Sequence, residues 1–239
     1  MGNDLLSARL IRQSIAELPV IGPIARKLYR AIVPHSPPAQ QFTSSPRYWE
    51  DRYAIGGNSG AGSYGRLARF KAEVINNFVA EHAVLTVIEL GCGDGAQLDL
   101  ARYPHYSGID ISLQAIELCR ARFRRDPNKQ FFHSSSLEAE KTTADLAMSL
   151  DVIYHLVEDD IYDAYMSQLI SAAKRFICIY SSNYERPALV AHIRHRIFSD
   201  WIVARAPQWK LILKVPNVYP EDPTRPNDTS WADFYFFAR

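Results

Sequence analysis

The sequence predicts an α/β protein with a doubly wound sheet of seven strands, mostly parallel, ending in antiparallel strands and covered by helices on both faces. Three observations carry this. Strand-like and helix-like segments alternate from Leu85 to Ser181, the pattern of successive βα units. The strands at Leu85–Leu90, Leu146–Asp151 and Phe176–Ser181 are nearly continuous apolar runs, as parallel strands buried on both faces must be. The alternation then stops: Trp209–Val215 and Phe234–Arg239 both read as strands with no helix between them, so they pair most simply as an antiparallel hairpin at the sheet edge.

The elements follow in order. Leu5 to Val33 has helical periodicity broken at Pro19 and Gly22-Pro23. Its second half places Ile24, Leu28, Tyr29 and Ile32 on one face and Arg26, Lys27 and Arg30 on the other. Such a basic amphipathic helix packs on its own domain, serves as a dimerisation arm, or makes a peripheral membrane contact through residues 5–33. Pro34 to Pro46 reads as a linker, so residues 1–46 form an extension and 47–239 the main domain, whose first part, 47–82, acts as a lid. Within that lid, Arg47–Tyr53 is a short helix and Gly56–Gly65 a mobile loop with five glycines in ten residues. Arg66–Glu81 is a helix with Leu67, Phe70, Val74 and Phe78 on one stripe. Beyond the first strand come a helix over Gln97–Tyr103, a strand over Tyr106–Ile111, a helix over Leu113–Arg125, a strand over Gln130–His133, the fourth strand, a helix over Asp160–Ala173 and the fifth strand.

Composition narrows the function. The chain has 239 residues, 47% hydrophobic and 22% charged, with net charge +1, which disfavours binding to a nucleic-acid backbone. Cys92, Cys119 and Cys178 are few and not at metal-ligand spacing, suiting reduced core thiols in a cytoplasmic protein. No apolar run approaches membrane-spanning length, and Met1-Gly2-Asn3-Asp4 does not open a signal peptide.

The chemistry concentrates in Val87 to Gly95, V-I-E-L-G-C-G-D-G, and in Asp110, which closes the second strand. Gly91 and Gly93 let the chain turn sharply and leave room for a ligand against the backbone, and in this fold ligands sit at the carboxyl ends of the strands. Asp110 can accept hydrogen bonds from both hydroxyls of a ribose. Two cofactor classes fit. Gly91, Gly93 and Ala96 satisfy the nicotinamide dinucleotide pattern G-x-G-x-x-A, which would make the protein an NAD(P)-dependent oxidoreductase. Against this, Glu89 and Asp94 put two carboxylates where a diphosphate would lie, and a phosphate-free cationic cofactor such as S-adenosylmethionine avoids that repulsion.

These residues resemble the class I S-adenosylmethionine-dependent methyltransferases, whose fold is a Rossmann-like sheet. The resemblance rests on Glu89-Leu90-Gly91-Cys92-Gly93-Asp94-Gly95, on Gly108-Ile109-Asp110-Ile111-Ser112, on Ser149-Leu150-Asp151-Val152-Ile153-Tyr154-His155-Leu156 and on Ala232-Asp233-Phe234-Tyr235-Phe236-Phe237, and covers about residues 47–239. It implies that Glu89 and the turn Gly91, Gly93, Asp94 and Gly95 hold the methionine part. It further implies that Asp110, with Ile111 beside it, holds the ribose and that Asp151 lies next to the cofactor. The adenine falls at the segment after the third strand, where many members carry an acidic residue. Here that stretch is His133-Ser134-Ser135-Ser136-Leu137-Glu138, and Ser135, Ser136 and Leu137 are assigned to the adenine, through a hydroxyl or a backbone carbonyl.

An oxygen acceptor profits from a general base, and His155, just past the fourth strand, is the candidate; the other reading is that it packs beside the cofactor. Tyr53, Tyr64 and Tyr154 are assigned to the acceptor side, with His192, Arg194 and His195. His192 and His195 are at i, i+3 and would share a helical face, and Arg194 and Arg196 would bind an anion or belong to a solvated basic helix. Tyr48, Trp49, Tyr53 and Tyr64 bracket the glycine loop, where aromatics box a sulfonium or pack the loop down. No metal is expected. The sequence thus leads to a methyltransferase acting most simply at oxygen on a small-molecule or glycan acceptor, against two rivals: the oxidoreductase, and a non-catalytic partner protein that keeps the fold.

Overall fold

The computed structural model describes residues 42–187 and 190–239, which lie within the unit Phe42–Arg239. The amphipathic segment 5–33, with its membrane and dimerisation readings, lies outside the described residues. Within them, Ser45–Ala54 forms helix α1 and Gly65–Glu81 helix α2. Strand β1 is Thr86–Leu90, β2 His105–Asp110, helix α3 Leu113–Arg122 and β3 Lys129–His133. Helix α4 is Leu137–Lys141, β4 Ala144–Leu150, α5 Asp159–Ala172 and β5 Ala173–Ser181. Helix α6 is Phe198–Arg205, β6 Lys210–Val215 and β7 Asp233–Ala238.

The seven strands form one sheet in the order β3-β2-β1-β4-β5-β7-β6. The first five are parallel; β7 runs antiparallel to β5, and β6 pairs antiparallel with β7 at the edge, as the tail of the sequence predicts. Strand order reverses between β1 and β4, and such a switch point opens a crevice at the carboxyl ends of the strands. The two-residue period of each strand divides the core between the faces. Ile88, Leu90, Ile177, Ile179 and Phe237 meet Met166, Leu169 and Phe198 on one side. Val87, Leu146, Met148, Phe234 and Phe236 meet Ile75 and Phe78 on the other. The Phe78 and Phe236 rings stack at 4.1 Å, which fixes α2 on the sheet. Truncating either to alanine costs about 3–5 kcal/mol.

Four expectations are corrected. The helix expected over Gln97–Tyr103 is a single 3-10 turn, Gln97–Leu100, with Ala101 already extended; Pro104 biases Tyr103 away from helical geometry and so denies the turn a continuation. Ser45 and Pro46, read as linker, are helical instead. Ser44 caps α1 by accepting a hydrogen bond from the Arg47 amide, and a proline is well placed in a first turn. Short α4 was not foreseen, although Ser136 caps it by accepting from Ala139. Residues 191–197, read with a helical face, are irregular, and the helix there starts only at Phe198.

Candidate active site

The site begins where β1 runs out. The amides of Gly91 and Cys92 both donate to the Ile109 carbonyl, at 2.7 and 3.1 Å, and the chain can reverse there because Gly91 and Gly93 adopt φ of +86° and +58°. A Cβ on Gly91 would stand 2.4 Å from Val152 Cγ2, and one on Gly93 2.2 Å from Ser59 Oγ. Both positions therefore demand glycine on conformation and on space. Asp110, at the end of β2, accepts from the Gly93 amide on Oδ2 and from the Ser112 amide on Oδ1, each at 2.9 Å. Each carboxylate oxygen keeps a lone pair for a ligand hydroxyl. Glu89 is buried, and Tyr106 donates its hydroxyl to Oε2 at 2.6 Å. Burial raises its pKa to about 7, with the Tyr106 bond and the nearby Lys71 ammonium working the other way.

Asp94 faces away from the crevice. Its Oδ2 accepts from the Ser59 amide at 3.1 Å and from the Tyr64 hydroxyl at 2.7 Å, and Oδ1 accepts from the Ala96 amide. In return the Asp94 amide donates to Ser59 Oγ, which also bonds the Tyr53 hydroxyl. Burial raises the Asp94 pKa, but the bonds from Tyr64, Ala96 and Ser59 outweigh it and hold the carboxyl below its ordinary value. Asp94 is thus a latch that draws the glycine-rich loop onto the turn. Tyr64, whose hydroxyl is spent on that latch, stands on the lid rather than on an acceptor wall.

Between the turn and the lid lies a cavity of about 440 Å³. Tyr53, Glu89, Gly91, Gly93, Asp110, Ile111, Asp151 and His155, all singled out in the sequence, line it. Other singled-out residues point elsewhere. Gly95, with φ +75°, packs against Phe123 and Cys119. Ser135 Oγ bonds the His133 ring, Ser136 caps α4, and Leu137 is 64% exposed; Ser134, one residue earlier, lines the cavity instead. Arg194 pairs with Asp159 and donates to the Val157 carbonyl, and Arg196 is bound to Asp159 and the same carbonyl, so both guanidinium groups are committed away from the cavity. His192 and His195 diverge because no helix joins them: the Arg194 amide donates to the Tyr154 carbonyl. His192 stacks on Tyr48 at 4.4 Å, while His195 is buried against Ser182, Tyr184 and Trp231.

The sequence reading missed Lys71. It lies on α2 in the same buried stripe as Leu67 and Ile75, and a lysine in such a stripe is a signal in itself. Its Nζ, fully buried, donates to Asp151 Oδ2 at 2.7 Å, and the Tyr154 hydroxyl donates to Asp151 Oδ1 at the same distance. Asp151 holds φ of +59°, an unusual conformation for a residue with a side chain; its amide is fixed by the Tyr180 carbonyl. A buried pair of this kind is costly to break from one side, by about 3–5 kcal/mol.

His155 lines the same cavity. Its Nδ1 is 3.1 Å from the His192 carbonyl oxygen. A carbonyl only accepts, so Nδ1 carries the proton and Nε2 keeps its lone pair. Trp49 of α1 stands edge-on to the ring at 4.9 Å, and α1 is held there because Ser45 donates its amide and hydroxyl to Glu158 and accepts from the Val157 amide. Burial pushes the His155 pKa down to about 4, the bond to His192 offsetting part of the shift. Among the described residues no cluster of three histidine, cysteine or acidic side chains could hold a metal, the three cysteines are buried and free, and no helix is long and apolar enough to cross a membrane.

Residues 87–175 match the family model described as a methyltransferase domain. No curated protein sequence matches the chain. Among solved structures, the magnesium protoporphyrin IX methyltransferase of Synechocystis PCC 6803, with bound SAM, superposes with a TM-score of 0.60 at 14% identity, over 84% of this chain and 100% of that one. The N-methyltransferase NodS of Bradyrhizobium japonicum WM9, in complex with S-adenosyl-l-homocysteine, gives 0.59 at 14% identity, over 82% and 99%. The methyltransferase domain of bacterial CtHen1-C gives 0.53 at 18%, over 70% and 96%. The fold expected from the sequence is therefore the fold observed, and it is shared with methyltransferases whose names cover a porphyrin enzyme and an N-methyltransferase.

Proposed function

We propose that this chain, a class I methyltransferase by its fold and its central domain, uses S-adenosylmethionine to methylate an oxygen of a small, uncharged acceptor, a glycan hydroxyl included. The observation that carries the choice of oxygen is the Nδ1–H bond from His155 to the His192 carbonyl, which leaves Nε2 as a proton acceptor in the cavity. A hydroxyl acceptor profits from such a group. S-adenosylmethionine, when bound, supplies a methyl group on a positively charged sulfur and gives up that charge on transfer. His155 takes the acceptor's proton on Nε2 and gains a charge of the same sign, so the net charge of the buried site stays constant through the reaction. With its pKa lowered to about 4 by burial, His155 is neutral at physiological pH; so weak a base takes the proton only as methyl transfer makes the acceptor oxygen positive and its proton acidic.

The cofactor assignment is supported by charge. The cavity is lined by three carboxylates, Glu89, Asp110 and Asp151, against the single ammonium of Lys71, which Asp151 already pairs. Glu89 suits the ammonium of the methionine part, Asp110 the ribose. A dinucleotide fares worse: the Gly93 and Asp94 amides are spent on Asp110 and Ser59, and the turn feeds a 3-10 turn of four residues rather than a helix whose dipole would hold a diphosphate. For the acceptor, the commitment of Arg194 and Arg196 to Asp159 removes the cations that an anionic substrate would need.

Calorimetric titration with S-adenosylhomocysteine and with NAD, followed by labelled methyl transfer to panels of phenols, sugars, amines and carboxylates, tests the reading. Binding of NAD alone would overturn the cofactor. Transfer only to amines or carboxylates would overturn the oxygen acceptor. Tight cofactor binding with no turnover on any panel would favour a non-catalytic partner protein.

A further inference from the structure

The cofactor reading leaves one recognition task without an owner. The serines expected to meet the adenine are engaged elsewhere, Ser135 with His133 and Ser136 as the cap of α4, and no acidic side chain follows β3 in the cavity lining. If Asp110 takes the ribose, the base lies one step further toward β3, where Ile111 and Ser134 form one wall. The Ser134 amide is tied to the Asp110 carbonyl at 2.9 Å, which keeps these two residues side by side. Helix α5 lines the same cavity. Its Ile161, Ala164, Tyr165 and Gln168 all reach the cavity, at the i, i+3, i+4, i+7 spacing of a single helical face. The Tyr165 hydroxyl is spent on the Leu90 carbonyl and Ser149. Of the lining residues after β3 and on α5, that leaves the Ser134 hydroxyl and the Gln168 carboxamide without a hydrogen-bond partner among the described residues.

We propose that Gln168 is the residue that reads the adenine, a role that rests on the S-adenosylmethionine assignment above. Adenine presents an amino donor beside a ring-nitrogen acceptor. A carboxamide presents an acceptor beside a donor in one plane, so the two can form a pair of parallel hydrogen bonds, as glutamine does with adenine in other settings. The hydroxyl of Ser134 can make only one such bond at a time in that plane and serves as a single supporting contact.

The test compares two ligands that differ by one amino group, S-adenosylhomocysteine and its 6-deamino analogue, on the full chain. Wild type is expected to bind the adenine form roughly tenfold more tightly. In Gln168→Leu, which keeps the bulk of the side chain, that ratio falls below about threefold because the adenine form alone weakens, while in Ser134→Ala most of the ratio survives. A purely structural role for Gln168 would weaken both ligands together and leave the ratio intact, which overturns the proposal. So does a ratio near one in wild type, or a ratio lost in Ser134→Ala and kept in Gln168→Leu. If wild type binds neither ligand, the cofactor reading itself has failed; if both bind but Gln168→Leu does not change the ratio, only the role of Gln168 has.

Discussion

The glycine turn and the segment after β5 make an instructive pair. Both looked chemically rich in the sequence, one through Glu89, Gly91, Gly93 and Asp94, the other through His192, Arg194, His195 and Arg196. In the turn, position follows from sequence almost without freedom: a buried strand ends, two glycines at positive φ reverse the chain, and the Asp110 carboxylate on the adjoining strand receives the Gly93 amide. After β5 the same kind of inference fails. The helical face that would have gathered two histidines and two arginines never forms: His192 goes to Tyr48, His195 to Ser182, and both arginines turn to Asp159. Local motifs predict sites when backbone geometry alone places the groups. They mislead when placement depends on partners far along the chain.

That contrast can be broken or sharpened by substitution. The largest effect is expected at His155, where the two regions meet. His155→Ala should lower kcat by about 10²–10⁴-fold while the affinity for S-adenosylhomocysteine stays within about twofold; an unchanged kcat would return His155 to a packing role. Next comes Gly91→Ala, which must hold φ near +86° and displace Val152. Its strain should weaken S-adenosylhomocysteine binding roughly 30- to 100-fold by calorimetry, and full affinity would show that the turn yields more readily than its geometry implies.

The third expectation concerns pH. Burial raises Glu89 to about 7, and a bound ammonium favours its ionised form. Affinity for S-adenosylhomocysteine should therefore rise by roughly tenfold from pH 6 to pH 8 as the carboxyl loses its proton before binding. Glu89→Gln should flatten that dependence. With saturating ligand, kcat should not fall toward pH 6 on account of His155, because its pKa of about 4 keeps it neutral throughout; a kcat that titrates near 6.5 would contradict that environment. The smallest effect is expected at Arg194. Since Asp159 and the Val157 carbonyl already hold it, Arg194→Ala should change kcat/KM by less than about twofold, and a large loss would restore the anionic acceptor.

The lid shows an intermediate case. Its glycine content suggested a loop that moves, and its contacts give it a fixed closed position through Asp94, Ser59 and Tyr64. Asp94 was legible as a member of the motif but not as a latch, because its partners lie about thirty residues earlier in the chain. Trp49 and Tyr48 were noted as aromatics near the loop, yet their contacts with His155 and His192 depend on Ser45 anchoring α1 to Glu158.

Consecutive residues were enough to specify the doubly wound sheet, the antiparallel edge and the sharp glycine turn after the first strand. Apolar runs, helical stripes and glycine turns act within a few residues and allow few alternatives. Which polar groups line the cavity beside that turn was settled by packing between distant elements. That packing buried Lys71 against Asp151 across 80 residues, fixed the protonated nitrogen of His155 with a carbonyl 37 residues away, drew Arg194 and Arg196 out to Asp159, and put Gln168 of α5 and Ser134 on the lining of one cavity. These choices follow from the packing of separate elements, where each buried charge or amide must find a partner, and no stretch of consecutive residues records which partner that is.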